Sequence, residues 1–264
     1  MILTIDVGNS TIAFGIHGNG GWINHWRLHT DRDKTADEYL VLFNTLLQNG
    51  GHRLEQIGRI VISSVVPTLT PTITAVAHHL CPRIPPLVVS HNLVNGLNPN
   101  PPIPPELGSD LLANAVAAFD RTKRGAIIVD FGTALTFEAI SDDGRILGVS
   151  IAPGLRSAVE ALSSNTAQLP AVDLAPPPNA LGRTTVHAIQ SGIVYGYVGL
   201  IQELVRRMTA EMQAAGDVQG EPEIIATGGF AETFAPLTGM FAVIDQWHTL
   251  EGLLVFARLN PPGE

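Results

Sequence analysis

The sequence predicts an α/β protein built as two similar halves, and three observations predict it. A strand-turn-strand motif occurs twice, as Ile5-Asp6-Val7-Gly8-Asn9-Ser10-Thr11 near the N-terminus and as Val129-Asp130-Phe131-Gly132-Thr133-Ala134 halfway along. Each copy is followed by a third β-rich run and then by alternating helical and strand patterns. The chain has 264 residues, 45% hydrophobic and 15% charged, which is enough apolar material for a core in each half.

In the first half, Met1–Asp6 and Thr11–Ile16 read as a hairpin, and Gly18-Asn19-Gly20-Gly21 turns into a third strand, Trp22–Leu28. Thr35–Gln48 has Tyr39, Leu42, Phe43, Leu46 and Leu47 at helical spacing. Thr35 with Glu38 three residues on forms a capping box for that helix. Ile60–Val66 reads as a buried strand, Thr70–Leu80 as a helix and Pro86–Ser90 as a strand. This βββαβαβ order is that of a ribonuclease-H-like unit. The Pro- and Asn-rich stretch Asn98–Pro105 can be neither helix nor central strand and is expected as a stiff extended segment, either a linker or a substrate-lining loop.

The second half repeats the plan. Asp110–Thr122 is a helix with a small-residue face, and strands follow at Ala126–Asp130, Ala134–Ser141 and Arg145–Ile151. Helices are expected at Leu155–Ser164 and, after Pro176-Pro177-Pro178, over Val186–Ala214. Glu223–Ala226 is a strand ending at Thr227-Gly228-Gly229; Phe230–Phe234 begins a helix, Phe241–Ile244 is a strand and Leu250–Leu259 a closing helix. The expected organisation is an N-terminal lobe over residues 1–107, then an inter-lobe helix and C-terminal lobe over 108–264.

The hairpins carry the chemistry. Glycine lets the backbone approach a phosphate closely, and hydroxyl and amide groups donate to its oxygens. An Asp at the strand end is placed to hold a hydrated cation bridging those phosphates. Taken singly, each hairpin could be ordinary turn chemistry. Their recurrence in two half-repeats points to a domain pair closing on a nucleotide. Thr227-Gly228-Gly229 adds a third glycine turn opening a helix, an anion site or a plain β–α turn. Asp110, beside Gly108 and Ser109, is either a helix-start carboxylate or a general base for an attacking hydroxyl.

Net charge is −9 and no long Lys/Arg run exists, which argues against a nucleic-acid or anionic-membrane partner. A single cysteine, Cys81, permits no intramolecular disulfide and fits a reducing compartment. The neighbouring His78 and His79 face different directions on a helix and lack a second cysteine, so they carry no metal reading. The chain opens directly on a strand, so no signal peptide is expected, and no apolar run reaches spanning length; the cytoplasm is the expected compartment. Asp142-Asp143 reads as a turn, His187 as a helix residue, and Tyr195 and Tyr197 as core or interface residues.

The ordered set Asp6-Val7-Gly8-Asn9-Ser10, Thr35-Ala36-Asp37-Glu38-Tyr39, Ser63-Ser64-Val65-Val66-Pro67, Gly108-Ser109-Asp110, Asp130-Phe131-Gly132-Thr133-Ala134, Ala152-Pro153-Gly154-Leu155, Gln190-Ser191-Gly192 and Thr227-Gly228-Gly229 resembles the type III pantothenate kinases over nearly the whole chain. The resemblance implies a duplicated ribonuclease-H-like fold of the actin-like ATPase type. It implies ATP-dependent phosphorylation of pantothenate to phosphopantothenate, the first step of coenzyme A synthesis. It further implies magnesium, a monovalent cation (potassium or ammonium), and a homodimer with the acceptor site at the interface. Carried over by position, Asp6, Val7, Gly8, Asn9, Ser10, Thr11, Ile12 and Ala13 resemble the ATP phosphate loop, with Thr133 also on the nucleotide. Asp6 would meet magnesium through water, and Asp130 would ligate the monovalent cation. Asp110 would accept the proton. Gly108, Ser109, Asp110, Leu111 and Thr185 would bind pantothenate, with Thr185 supplied by the neighbouring subunit.

Two departures fall on the acceptor side. The family pattern is Gly-x-Asp-Arg, and Leu111 stands where the arginine belongs. Leucine can neither fix an adjacent carboxylate nor bind a substrate carboxylate bidentately. The family tyrosine shortly before this motif is also missing; Tyr39 and Tyr195 are far off in sequence. Two alternatives stay open on this ground: a nucleotide-binding regulatory or accessory homologue with a degenerate acceptor site, or a kinase of another small hydroxylated acceptor.

Overall fold

The computed structural model describes residues 1–100, 102–164 and 169–262. Of the Pro-rich stretch, Pro101 lies outside the described residues. Two compact units divide the chain. The first comprises Met1–Asp120 and the residues from Thr249 on; the second is Arg121–His248.

The first unit is a five-stranded sheet in the order β3-β2-β1-β4-β5, formed by β1 (Ile2–Val7), β2 (Thr11–Gly18), β3 (Gly21–His29), β4 (Arg59–Ser64) and β5 (Leu87–Val88). The β1–β2 and β2–β3 pairs are antiparallel, and β1–β4 and β4–β5 are parallel. Helices α1 (Ala36–Asn49) and α2 (Thr70–Leu80) cover one face. Leu3, Ile5 and Val7 alternate into the core shared with Tyr39, Phe43, Leu47, Ile73 and Val76. Thr4 and Asp6 consequently point to the other face. The expected capping box is formed: Thr35 accepts from Glu38 N–H, and the Glu38 carboxylate accepts from Thr35 N–H at 2.8 Å. Helices α3 (Ser109–Thr122) and α7 (His248–Leu259) complete the unit. Here Gly252 of α7 presses on the Ala113 backbone so closely that a Cβ would collide with it, and Thr249 Oγ1 donates to Asn114 Oδ1 at 2.8 Å.

The second unit repeats the plan with β6 (Ala126–Phe131), β7 (Ala134–Ile140), β8 (Ile146–Pro153), β9 (Glu223–Thr227) and β10 (Val243–Ile244), ordered β10-β9-β6-β7-β8. Matching β6 to β1, β7 to β2, β8 to β3, β9 to β4 and β10 to β5 gives the same order and the same parallel and antiparallel pairings. Even an irregularity repeats: the register shifts between Ile16 and His17 on β2 and between Ala139 and Ile140 on β7. Helices α4 (Leu155–Ser164), α5 (Thr185–Ala215) and α6 (Ala231–Thr238) supply its core with Val159, Ile193, Ile201, Val205 and Phe234 around Ile127, Val129 and Phe131. The 31-residue α5 ends at Gly216, whose φ of 72° is the left-handed cap that residues with a Cβ adopt at a cost. The expected duplicated α/β fold, ribonuclease-H-like in strand order, is the fold observed.

Three strands stop short of the expected span. Val65 and Val66 lie past the end of β4, although Val65 N–H still donates to Val7 C=O at 3.1 Å and Val66 stays buried; Pro67, with no N–H, could not extend the ladder further. The strand expected over Pro86–Ser90 reduces to Leu87–Val88, and that over Phe241–Ile244 to Val243–Ile244. Among the described residues no helix is long and apolar enough to cross a membrane.

Candidate active site

In the first unit, Asp6 lies at the end of β1 and stands in register with Ala13 on β2 and with Ser63 on β4. The turn that follows, Gly8-Asn9-Ser10, is closed by Gly8 N–H donating to Thr11 C=O at 3.0 Å. A Cβ on Gly8 would lie only 3.0 Å from that same oxygen, so a side chain there would force the turn open. Asn9, Ser10 and Thr11 are exposed at its tip, whereas Val7 and Ile12 are buried and anchor it.

The turn is braced from outside by residues that sequence reasoning passed over. Thr30 N–H donates to Ser10 C=O at 3.1 Å and Thr30 Oγ1 to Gly8 C=O at 2.7 Å. Arg32 Nη2 donates to Asn9 Oδ1 at 3.0 Å. This segment is fixed in turn by Tyr39, whose hydroxyl donates to Asp31 C=O at 2.8 Å and accepts from Asp31 N–H at 2.9 Å. Arg32 thus sets an exposed cation beside the turn. A basic residue a short way past the third strand is the only sequence signal for it.

Asp110 sits in the first turn of α3, half-buried, its Oδ1 accepting from Leu111 N–H at 2.7 Å. Burial pushes its carboxyl above the ordinary range, and the main-chain hydrogen bonds from Leu111 and from its own amide only partly offset this. No cationic side chain among the described residues contributes to that balance. A Cβ on Gly108 would run into the Asp110 carboxylate and force it to shift. Ser109 faces β4: its Oγ is 2.9 Å from Ser63 Oγ and accepts from Ser64 N–H at 2.9 Å. Leu111 is half-buried.

In the second unit, Asp130 occupies on β6 the place that Asp6 holds on β1, in register with Thr136 on β7 and Thr227 on β9. Three glycine motifs far apart in sequence meet beside it. Gly228, with φ of 91°, comes so close that a Cβ would collide with the Asp130 carboxylate and the Phe131 backbone. Gly154, just ahead of α4, lies against the Thr133 and Gly132 carbonyls with no room for a Cβ. A Cβ on Gly132 would stand 3.4 Å from Asp130 Oδ1. Ser157 Oγ donates to Thr133 C=O at 3.4 Å, and the Arg156 guanidinium lies 6.0 Å over the Phe230 ring. Thr133 itself is exposed.

Thr185 is exposed as the first residue of α5, whose N-terminus is capped by Thr184 Oγ1 accepting from His187 N–H at 3.2 Å. The connection ahead of it is strapped to α5. Gln190 Nε2 donates to Asp173 C=O at 2.9 Å, Ser191 Oγ to Ala180 C=O at 2.5 Å and Tyr195 Oη to Pro177 C=O at 3.0 Å. Tyr197 Oη donates to Pro153 C=O at 2.8 Å, which ties α5 to the segment bearing Gly154.

Chemically, each unit presents a carboxylate at the end of a central strand, beside a tight turn with exposed amide and hydroxyl groups. The first unit adds a second carboxylate, Asp110, whose burial favours the neutral form more than in an ordinary aspartate.

A family model described as type III pantothenate kinase matches residues 2–207. Curated type III pantothenate kinases from Citrifermentans bemidjiense and Geobacter sulfurreducens are each 40% identical over 260 residues, covering 98% of this chain and 100% and 99% of theirs. Among solved structures, a conserved Campylobacter jejuni protein assigned to a Baf family of transcriptional activators is similar with a TM-score of 0.60 at 18% identity, covering 98% of both chains. The activator of 2-hydroxyisocaproyl-CoA dehydratase from Clostridium difficile, with bound ADPNP, is similar at 0.52 and 12% identity, covering 98% of this chain and 95% of that one. At these identities the solved structures speak for the fold alone.

Substituting Gly228→Ala combines a disfavoured backbone conformation with a collision at Asp130. It is expected to cost more than about 1 kcal/mol of stability, read as a lowered urea midpoint; an unchanged midpoint would show that the turn relaxes freely.

Proposed function

The chain belongs to the type III pantothenate kinase family, and on that footing we propose that it transfers the γ-phosphoryl group of ATP to the hydroxyl of pantothenate as the first step of coenzyme A synthesis. The observation that carries the reading is the equivalence of Asp6 and Asp130 at the ends of matching central strands, each beside a glycine turn. Phosphoryl transfer asks for alignment, charge neutralisation and one group that orients or deprotonates the acceptor. Residues 6–13 serve as the phosphate loop, their turn offering amide and hydroxyl donors, and Thr133 offers a hydroxyl from the second turn.

The donor sets fit the cations that the family implies. Around Asp130 the close-packed glycine turns bring the Gly132 and Thr133 carbonyls and the Asp130 carboxylate into one neighbourhood, oxygen donors of the kind that would suit a hard cation such as potassium or ammonium. Asp6 is an oxygen ligand suited to a hydrated magnesium ion. Bound there, these cations offset phosphate charge. Asp110 accepts the proton of the pantothenate hydroxyl, while Gly108 and Ser109, Leu111 and Thr185 belong to the acceptor side. The single buried cysteine, Cys81, fits a reducing, cytoplasmic setting.

A homodimer with a shared acceptor site is supported by α5. Gly192, Gly196 and Gly199 repeat along it with nothing within 4 Å of a built Cβ. Val186 and Tyr195 on the same helix are exposed, as is Leu181 just ahead of it. Open glycines along one side of the helix, with exposed apolar side chains nearby, suit close packing against a second copy, and the same helix begins at Thr185.

Asp110→Asn is expected to lower kcat at least about a hundredfold while ATP binding, followed by calorimetry, stays within about twofold; near-normal turnover would remove the base assignment. In the parent enzyme kcat should fall as pH drops through the raised Asp110 pKa, so the acid limb should lie above the ordinary carboxylate range of about 4. Leu111→Arg should draw that limb to lower pH through the added guanidinium and raise turnover with pantothenate, as followed by phosphopantothenate formation. No gain, with strong activity toward another hydroxylated acceptor, would favour the altered-acceptor reading to which Leu111 points. Mixing Asp110→Asn with Thr185→Arg protein, each inactive alone, should restore activity through mixed dimers if the acceptor site is shared; absence of recovery in mixed dimers would argue for a site within one subunit.

A further inference from the structure

We infer that Ser109 is a positioning residue, its hydroxyl fastening the turn that carries Asp110 to the end of β4, the strand beside Asp6. This rests on the reading of Asp110 as the proton acceptor, and it moves Ser109 from the acceptor-contacting set to the scaffold behind it.

The geometry is confined to the first unit. Ser63 is fully buried and pairs in register with Asp6, so their side chains leave the sheet on the same face. Its Oγ meets Ser109 Oγ at 2.9 Å, and the next residue, Ser64, donates its N–H to the same Ser109 oxygen at 2.9 Å. A hydroxyl has one donor and two acceptor sites. With β4 occupying two of the three, Ser109 is turned toward the sheet. The network continues, because Ser64 Oγ accepts from Thr70 Oγ1 at 2.8 Å in the first turn of α2. Two hydroxyl pairs, Ser63 with Ser109 and Thr70 with Ser64, are linked through the β4 main chain and so join β4, α2 and the start of α3.

Asp110 has need of such a tie. It lies in the first turn of a helix, where the amides lack intrahelical partners and the backbone frays first. Its carboxylate is bonded to Leu111 N–H, so it moves with that turn. Leu111 offers no guanidinium to hold it from the side, and no cation among the described residues does so in its place. The placement of Asp110 relative to the Asp6 strand thus leans on the packing of Gly108 against the Asp110 and Val65 side chains and on the serine bridge. Proton transfer to a base is steeply sensitive to sub-ångström displacement, whereas substrate affinity spread over several contacts is not. Loosening the bridge should therefore appear in kcat and spare KM.

The test is steady-state kinetics with pantothenate and ATP on full-length Ser109→Ala, Ser63→Ala, the double variant and Asp110→Asn. Each serine variant is expected to lose about tenfold in kcat with both KM values within about twofold. The double variant should lose no more than either single one, since both remove the same bridge. A raised KM for pantothenate at unchanged kcat in Ser109→Ala would put the hydroxyl on the acceptor and overturn the inference, with Asp110→Asn inactivity leaving the base reading intact. Losses that multiply in the double variant would also overturn it, since the two hydroxyls would then act separately. Activity retained by Asp110→Asn would overturn the base reading and this inference with it. Should Ser109→Ala fail to fold, Ser63→Ala leaves α3 unaltered and decides by the same kcat-against-KM split.

Discussion

The parallel ladders between β1 and β4 and between β6 and β9 set everything else in place. Along β1, Leu3, Ile5 and Val7 enter the core; along β6, Ile127, Val129 and Phe131 do the same. Because side chains alternate on a strand, this burial leaves Asp6 and Asp130 pointing away from it. A slip of one residue would drive each carboxylate into an apolar interior at a cost of several kcal/mol. The hydrophobic effect, with no knowledge of phosphate, thereby fixes which face of each sheet can do chemistry. That both aspartates stand at the C-terminal ends of central strands agrees with where open α/β sheets place ligands.

The two halves share this frame and differ in how they finish it. Around Asp6 the neighbouring segments are joined by hydroxyls: Thr30 to the turn, Ser63 and Ser64 to Ser109, Thr70 to Ser64. Around Asp130 they approach through glycines, at 132, 154 and 228. Hydroxyls fix distances between side chains, whereas glycines let main chain lie against main chain. One duplicated plan so yields a side-chain-braced turn and a backbone-lined cradle.

How much of this was legible follows from the range of each cause. The bounds of α2 and the start of α4 fall where the sequence places them, and the Thr35–Glu38 box was readable because capping is settled within four residues. The end of β4 was overrun because Val65 and Val66 look like strand and Val66 stays buried after the ladder stops. Both aspartate hairpins could be read, being local. The bridge from Ser63 to Ser109 spans 46 residues, and nothing near either serine announces it. Likewise the glycine motifs at 132, 154 and 228 could each be seen as a turn, but their meeting at Asp130 belongs to the sheet order. Arg32 was missed because its partner is an amide on another turn, not a charge.

The packing of α7 has a consequence for synthesis. The first unit contains residues on both sides of the second, and Leu250, Leu253 and Phe256 of its last helix are buried in it. At ordinary translation speeds the ribosome needs roughly ten seconds to make the intervening stretch. By the end of that time the second unit, continuous in sequence, has all of its strands, while the first still lacks the helix that packs on Ala113 and Asn114. The two halves are alike in strand order and opposite in order of completion: the one begun first is finished last.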